Sequence, residues 1–218
     1  VLVSWNIKSW NKDFFILYFL LLGGVFGVFA SMDLFFFFFF YELSVLPMYL
    51  LIGVWGSSSD FGRFKRPKEY GAMKLMLFLV AGSVLIWVGM MAIFVEAGLG
   101  TFDIRALAAV DYSRNFQIIF FPFLALGFGI LAGLWPFHTW SPDGHVAAPT
   151  SVSMVHAGVL MKLGAYGIIR LGIGLMPEGA QEWMPVLVTL GTVNVIYGAM
   201  SAMGQRDLKY AVGYSSVS

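Results

Sequence analysis

A carboxylate stands inside the most apolar stretch of this chain. Phe35 to Tyr49 reads FFFFFFYELSVLPMY, with Glu42 two residues past six consecutive phenylalanines and Pro47 five residues further on. On a helix rising 1.5 Å per residue, Glu42 lies about 12 Å in from the end of its apolar run. An ionisable group at that depth in a bilayer costs roughly 2.5–3.5 kcal/mol even on the lenient insertion scale. Groups kept at such a cost face a bundle interior, pair, and serve ion or proton movement; the plainer alternative is a glutamate that hydrogen-bonds a neighbouring helix. Pro47 adds local chemistry, because it removes a backbone donor and frees the Leu43 carbonyl beside Glu42. Freed backbone groups in a membrane helix need a neighbour or water.

Lys162, in HAGVLMKLGAYG, is the second such residue, thirteenth in an apolar run over 150–170. Together, a buried acid and a buried base favour both charged forms; held apart, they favour proton transfer. Snorkelling is the competing role for a membrane lysine, but Lys162 is central in its run. His156 lies six residues earlier, a turn of about 240° on an α-helix, so the two should not share a face. It is either a satisfied structural histidine or a proton carrier. Lys74, near the start of another apolar run, either snorkels or reaches one turn into the bundle. The stretch PFHTWSPDGHVAAPT (136–150) carries three prolines, Gly144, His138, His145 and Asp143. Its spacing fits no common metal-ligand pattern, and Asp143 alone completes nothing specific. A broken helix lining a hydrated cavity is the expectation there.

The elements that must position these groups are membrane helices. The chain is 59% hydrophobic and 11% charged, against about 25% charged residues in soluble domains. Six segments approach the roughly 20 apolar residues that a span requires: 14–30, 34–55, 70–95, 116–135, 150–170 and 185–203, with another starting near 207. Period-2 alternation is absent, which argues against a β-barrel. The fold expected is all-α, a polytopic transmembrane bundle with one broken helix. The three-residue gap at 31–33 makes the first two helices a hairpin, and Gly23/Gly27 and Gly129/Gly133 suit close helix contact. There are no cysteines, so disulfides, thiolate metal sites and Fe–S ligation are excluded. A formal net charge of +1 points to no nucleic-acid partner. A start on Val1 and an end on VGYSSVS, as a new apolar stretch begins, are expected of a piece of a longer chain.

Charge sets the orientation. The 56–69 loop holds Arg63, Lys65, Arg66 and Lys68 against Asp60 and Glu69, a net of +2. It is therefore assigned to the cytoplasm. Alternating spans then place Lys8, Lys12, Arg206 and Lys209 inside too. The 96–115 loop, with three carboxylates and two arginines, falls outside with a net of −1. Glu178 and Glu182 in the 171–184 loop fall on the same outer side.

Five stretches occur in one order: FYELSVLPMYLLIGVWG (40–56), KEYGAMKLMLF (68–78), WPFHTWSPDGHVAAPT (135–150), AGVLMKLGAYGIIR (157–170) and DLKYAVGYSSVS (207–218). Together they resemble the antiporter-like proton-channel subunits of respiratory complex I, most closely the M-type, or chain 4. The resemblance implies a fourteen-helix fold of which this chain looks like the fourth to ninth helices and the start of the tenth. It implies proton transfer through Glu42, Lys74, Lys162, His138, His145 and Lys209, with His156 as an unexpected addition. FMN, Fe–S clusters and quinone are expected in partner subunits, and the partners implied are other complex I membrane subunits, neighbouring antiporter-like ones above all, and lipids. A subunit of a multi-subunit Na+/H+ antiporter, or a non-pumping scaffold, is the alternative. One departure stands out. The family keeps a lysine in its broken helix, the usual partner of the glutamate; counting back from PFHTW puts Leu131 at that position, and residues 116–135 contain no Lys, Arg or His.

Overall fold

Six helices long and apolar enough to cross a membrane dominate the computed structural model, which describes residues 2–5, 7, 9–60 and 65–218. Lys8 and Arg63, two of the cations used to orient the chain, lie outside the described residues. Helix α1 (Asn11–Ala30) and α2 (Leu34–Trp55) form an antiparallel hairpin. A two-stranded ribbon of β1 (Ser59–Asp60) and β2 (Lys65–Arg66) leads into α3 (Lys68–Ala97). A short α4 (Ile104–Ala108) precedes α5 (Arg114–Ala132), and α6 (Trp140–Ala147) continues α5 after an interruption. The next span, Thr150–Ile173, joins α7 (Thr150–Val155) and α8 (Met161–Gly167) through a π turn at His156–Leu160, and ends in a second π segment at Ile168–Ile173. Helix α9 (Pro177–Met203) is the last long span, followed by α10 (Leu208–Val217).

Local chemistry fixes where these helices begin and end. Asp33 accepts the Phe36 N–H at 3.1 Å, Ser113 that of Phe116 at 3.4 Å, and Asp207 that of Lys209 at 2.7 Å. Each satisfies an orphan donor of a first helical turn, worth about 1 kcal/mol. Helix α5 stops at Gly133, whose φ of 79° belongs to glycine. Leu134 N–H reaches back to Gly129 O at 2.8 Å and Gly133 N–H to Ile130 O at 3.1 Å, a Schellman closure. Pro136 follows and cannot rejoin the ladder. This is the break in the fourth span.

Packing runs in chain order: α1 on α2, α2 on α3, α3 on α5, and α5 on both α8 and α9. On α1, Gly23 meets nothing, while a Cβ on Gly24 would come within 2.9 Å of Phe40 O. Gly24 and Gly27, not Gly23, make the close approach to α2. Between α3 and α5 the backbones meet at Gly82 and Gly127, where a Cβ on either would lie 3.0 Å or less from the other's carbonyl oxygen. Across this contact Ile86 of α3 packs on Gly127 and Leu124 of α5 packs on Gly89.

The two ends of the bundle differ in charge. One gathers the β1–β2 ribbon, the starts of α1, α3 and α10 and the end of α6: Trp55 Nε1–H donates to Ser9 O at 2.9 Å and Ser57 N–H to Ala147 O at 2.8 Å. Lys12, Lys65, Arg66, Lys68 and Lys209 belong to it. At the other end the 31–33 turn pairs with 102–104 through Leu34 N–H to Phe102 O at 2.8 Å and Ile104 N–H to Met32 O at 3.0 Å. Arg114 bridges Glu182 there at 3.0 Å. Backbone donation from Arg105, with its guanidinium alongside, holds Asp103 below its ordinary carboxylate value.

Candidate functional site

Glu42 occupies the α2 face that turns toward α3 and is half-buried. Its neighbour there is Ser83. One carboxyl oxygen, Oε1, is buried with no hydrogen-bond partner among the described residues. Ser83 Oγ donates to Leu79 O at 2.9 Å and lies 3.5 Å from the Tyr41 hydroxyl, which is itself 3.5 Å from Leu79 O. Tyr41 is buried completely. Pro47 sits inside α2 and the helix runs on through it. Leu131 is fully buried on α5, and α5 carries no cation beyond its first residue, Arg114.

A second carboxylate is answered differently. Asp143 of α6 is 7% exposed and takes two cations, Arg66 Nη1 at 2.5 Å and Lys74 Nζ at 2.8 Å. The Tyr210 hydroxyl of α10 donates to it at 3.1 Å. Lys209 Nζ reaches the same segment, donating to Val146 O at 3.3 Å. The ribbon, α3, α6 and α10 thus meet at one buried acid. A cavity of ≈ 10 Å³ opens against Asp143, Arg66, Gly71 and Tyr210, the size of about one water. Sequence reasoning tested Asp143 only as a metal ligand and missed it as a counter-ion. A signal was present: it is the only carboxylate between Asp111 and Glu178, and buried charges are kept when paired.

Behind Asp143 the imidazoles collect. His145 and His156 stack with ring centroids 4.0 Å apart, and His156 stacks on Trp140 at 5.3 Å. His145 Nδ1 lies 3.1 Å from Ser153 Oγ. Both nitrogens of His156, both of His138 and Nε2 of His145 are buried without a partner among the described residues. Stacked rings do not hydrogen-bond one another, so a proton passes between His145 and His156 only by rotation or through water. His138 stands apart, edge-on to Tyr197 of α9 at 4.9 Å. Among the described residues no group of three His, Asp or Glu converges to hold a metal ion.

Lys162 lies on the outer surface of the described bundle, its Nζ donating to Ala157 O at 2.7 Å. Lys162 and His156 lie on different faces, His156 fully buried and Lys162 exposed, although the turn between them is not α-helical. Met161 N–H bonds His156 O, five residues back, so the π turn changes the angle between them. The structure therefore gathers Lys74, Lys209 and His145 around the Asp143 segment, with His156 stacked behind, and leaves Glu42, His138 and Lys162 each separate.

The family described as NADH:quinone oxidoreductase/Mrp antiporter, TM, matches residues 31–218. The chain is 37% identical over 219 residues to NAD(P)H-quinone oxidoreductase chain 4 2 of Microcystis aeruginosa, covering all of this chain and 38% of that protein. It is 38% identical over 217 residues to NAD(P)H-quinone oxidoreductase chain 4 of Gloeobacter violaceus, covering all of this chain and 40% of that one. The chain thus spans about two-fifths of the length of these relatives. Among solved structures, respiratory complex I from Thermus thermophilus with bound NADH superposes with a TM-score of 0.84 at 26% identity, over 94% of this chain and 42% of the matched one. The Mrp complex from Dietzia sp. shares the fold, with a TM-score of 0.76 at 22% identity over 92% of this chain and 36% of the matched one. A multi-pass membrane bundle with a broken helix, matched along nearly its whole length, this chain belongs to the NADH:quinone oxidoreductase/Mrp antiporter family.

Proposed function

We propose that this chain forms part of a proton-translocating membrane subunit of an NADH:quinone oxidoreductase. The observation that carries the reading is Glu42, a carboxyl group deep in a membrane span with one buried oxygen left unbonded. Such a group can take up and release a proton without breaking an ion pair. The water-sized space against Asp143 supplies an entrance from the basic end. There Lys74, Lys209 and His145 surround the broken helix, and His138, His156 and Lys162 offer further proton-carrying groups. The redox reaction belongs to partner subunits, which hold FMN, the Fe–S clusters and quinone; this chain only binds and passes protons. Its partners are other membrane subunits, neighbouring antiporter-like ones first, and lipids. The host is an energy-converting membrane, the bacterial plasma membrane, with the 56–69 loop in the cytoplasm. A multi-subunit Na+/H+ antiporter is the second reading, favoured by a family description that spans both machines.

The test is Glu42→Gln in the intact complex, reconstituted in vesicles. Proton uptake driven by NADH oxidation should fall to background while the complex assembles. Full uptake in Glu42→Gln would leave a scaffold, and sodium-dependent uptake would select the antiporter.

A further inference from the structure

We infer that the hydroxyls of Ser83 and Tyr41 are positioning residues for the Glu42 proton, and that they serve Glu42 where no cation is supplied by α5. The inference rests on the proton-translocating reading above. Three observations carry it. First, Glu42 faces Ser83 and keeps a buried oxygen unbonded, so a donor has room to act on it. Second, Ser83 Oγ has a single proton, given to Leu79 O at 2.9 Å, with the Tyr41 hydroxyl at 3.5 Å and the Glu42 carboxyl beside it but not bonded to it. A hydroxyl rotates among acceptors without any backbone movement. The Tyr41 hydroxyl, 3.5 Å from both Leu79 O and Ser83 Oγ, is longer than the usual 2.7–2.8 Å of an O–H···O bond, so it is free to tighten onto either. Third, α5 offers nothing in their place: Gly82 and Gly127 bring its backbone against α3, and Leu131 is apolar and fully buried.

The two states balance. With Glu42 ionised, Ser83 donates to the carboxylate. With Glu42 protonated, its O–H donates to Ser83 Oγ, and Ser83 turns its own proton to Leu79 O or to Tyr41. One proton is gained and one hydrogen bond changes direction; no charge has to leave a partner. Leu79 is the resting acceptor because Ser83 lies four residues on, the usual back-bond of a helical serine.

The experiment uses the intact complex in vesicles and compares Glu42→Gln, Ser83→Ala, Ser83→Thr and Tyr41→Phe. The readouts are NADH-driven proton uptake and the infrared carbonyl band of protonated Glu42, assigned by its absence in Glu42→Gln. Ser83→Ala should lower uptake about tenfold, the size of one hydrogen bond to a charged group, and move the band. Ser83→Thr should restore both. Tyr41→Phe keeps the packing of the ring and should lower uptake less than Ser83→Ala. Should Ser83→Ala fail to assemble, Ser83→Thr and Tyr41→Phe decide by themselves, since Tyr41→Phe removes only a hydroxyl. Wild-type uptake and an unmoved band in Tyr41→Phe and Ser83→Ala, with Glu42→Gln inactive, overturn this inference and leave the function standing. Full uptake in Glu42→Gln overturns the function itself.

Discussion

Two carboxylates lie inside this bundle and are accommodated in opposite ways. Asp143 is held by Arg66 and Lys74 and by the Tyr210 hydroxyl. Glu42 has Ser83 beside it and one buried oxygen without a hydrogen-bond partner among the described residues. The first arrangement fixes a charge; removing either side strands the other in a place where charge is expensive. The second fixes a position but leaves the proton count open. The proposed function would use both, one acid to hold helices in register and one whose ionisation can change without disrupting the packing.

The largest effect expected is therefore structural, and at Asp143. Asp143→Asn takes the charge partner from Lys74 and Arg66, which are themselves 20% and 39% exposed, and should cost about 1–3 kcal/mol, read as loss of assembled complex in the membrane and a lower melting temperature. Equal assembly in Asp143→Asn and wild type would erase the contrast between the two acids. Next comes the isosteric change at the other acid: Glu42→Gln should assemble fully and lose transport. Lys162→Ala tests whether a cation on the outer surface of this bundle takes part. Proton uptake should drop about a hundredfold, the low end for losing one proton-transfer group, with assembly intact. Normal pumping in that variant would confine the path to the residues around Asp143 and Glu42. The smallest effect is expected from Leu131→Lys, which converts the Glu42 region toward the Asp143 kind. The complex should still assemble and pump, and Ser83→Ala should cost less uptake in that background than alone, a coupling that a double-mutant cycle measures. Strict additivity would mean that a lysine at 131 and the Ser83 hydroxyl do not serve the same acid.

How much of this could be read from the sequence differs by level. The spans were legible because a bilayer allows only long apolar helices with all backbone groups satisfied. The break was legible because Pro136, Pro142, Pro149 and Gly144 crowd into one stretch and each weakens a helix, whereas Gly133, where α5 stops, was read only as a helix-contact glycine. Glu42 was legible because a charge among phenylalanines has no cheap explanation. The role of Asp143 was not, since its three partners lie 77, 69 and 67 residues away in the chain. Pairing over that distance depends on how α3, α6 and α10 come together, which no local pattern encodes. Ser83 and Tyr41 were missed for a related reason. They are ordinary residues until the rotation of α2 against α3 brings them to Glu42. The stacking of His145 on His156 likewise needed the fold of the interrupted segment.

The π turn at His156–Leu160 reaches beyond geometry. A π turn spans five residues where an α turn spans four, so it is the footprint of one extra residue within the helix. Removing one residue there would return the turn to an α-helix and leave both Thr150–Val155 and the residues beyond in place, because the π turn already takes up the rotation of about 100° that one extra residue would otherwise impose. The direction in which Lys162 points is thus insulated from a one-residue change in chain length at this turn. Gly158, where an added Cβ would meet nothing within 4 Å, is the position at which such a deletion disturbs packing least. A lineage could lose that codon in one step while the side chains on either side of the turn kept their neighbours.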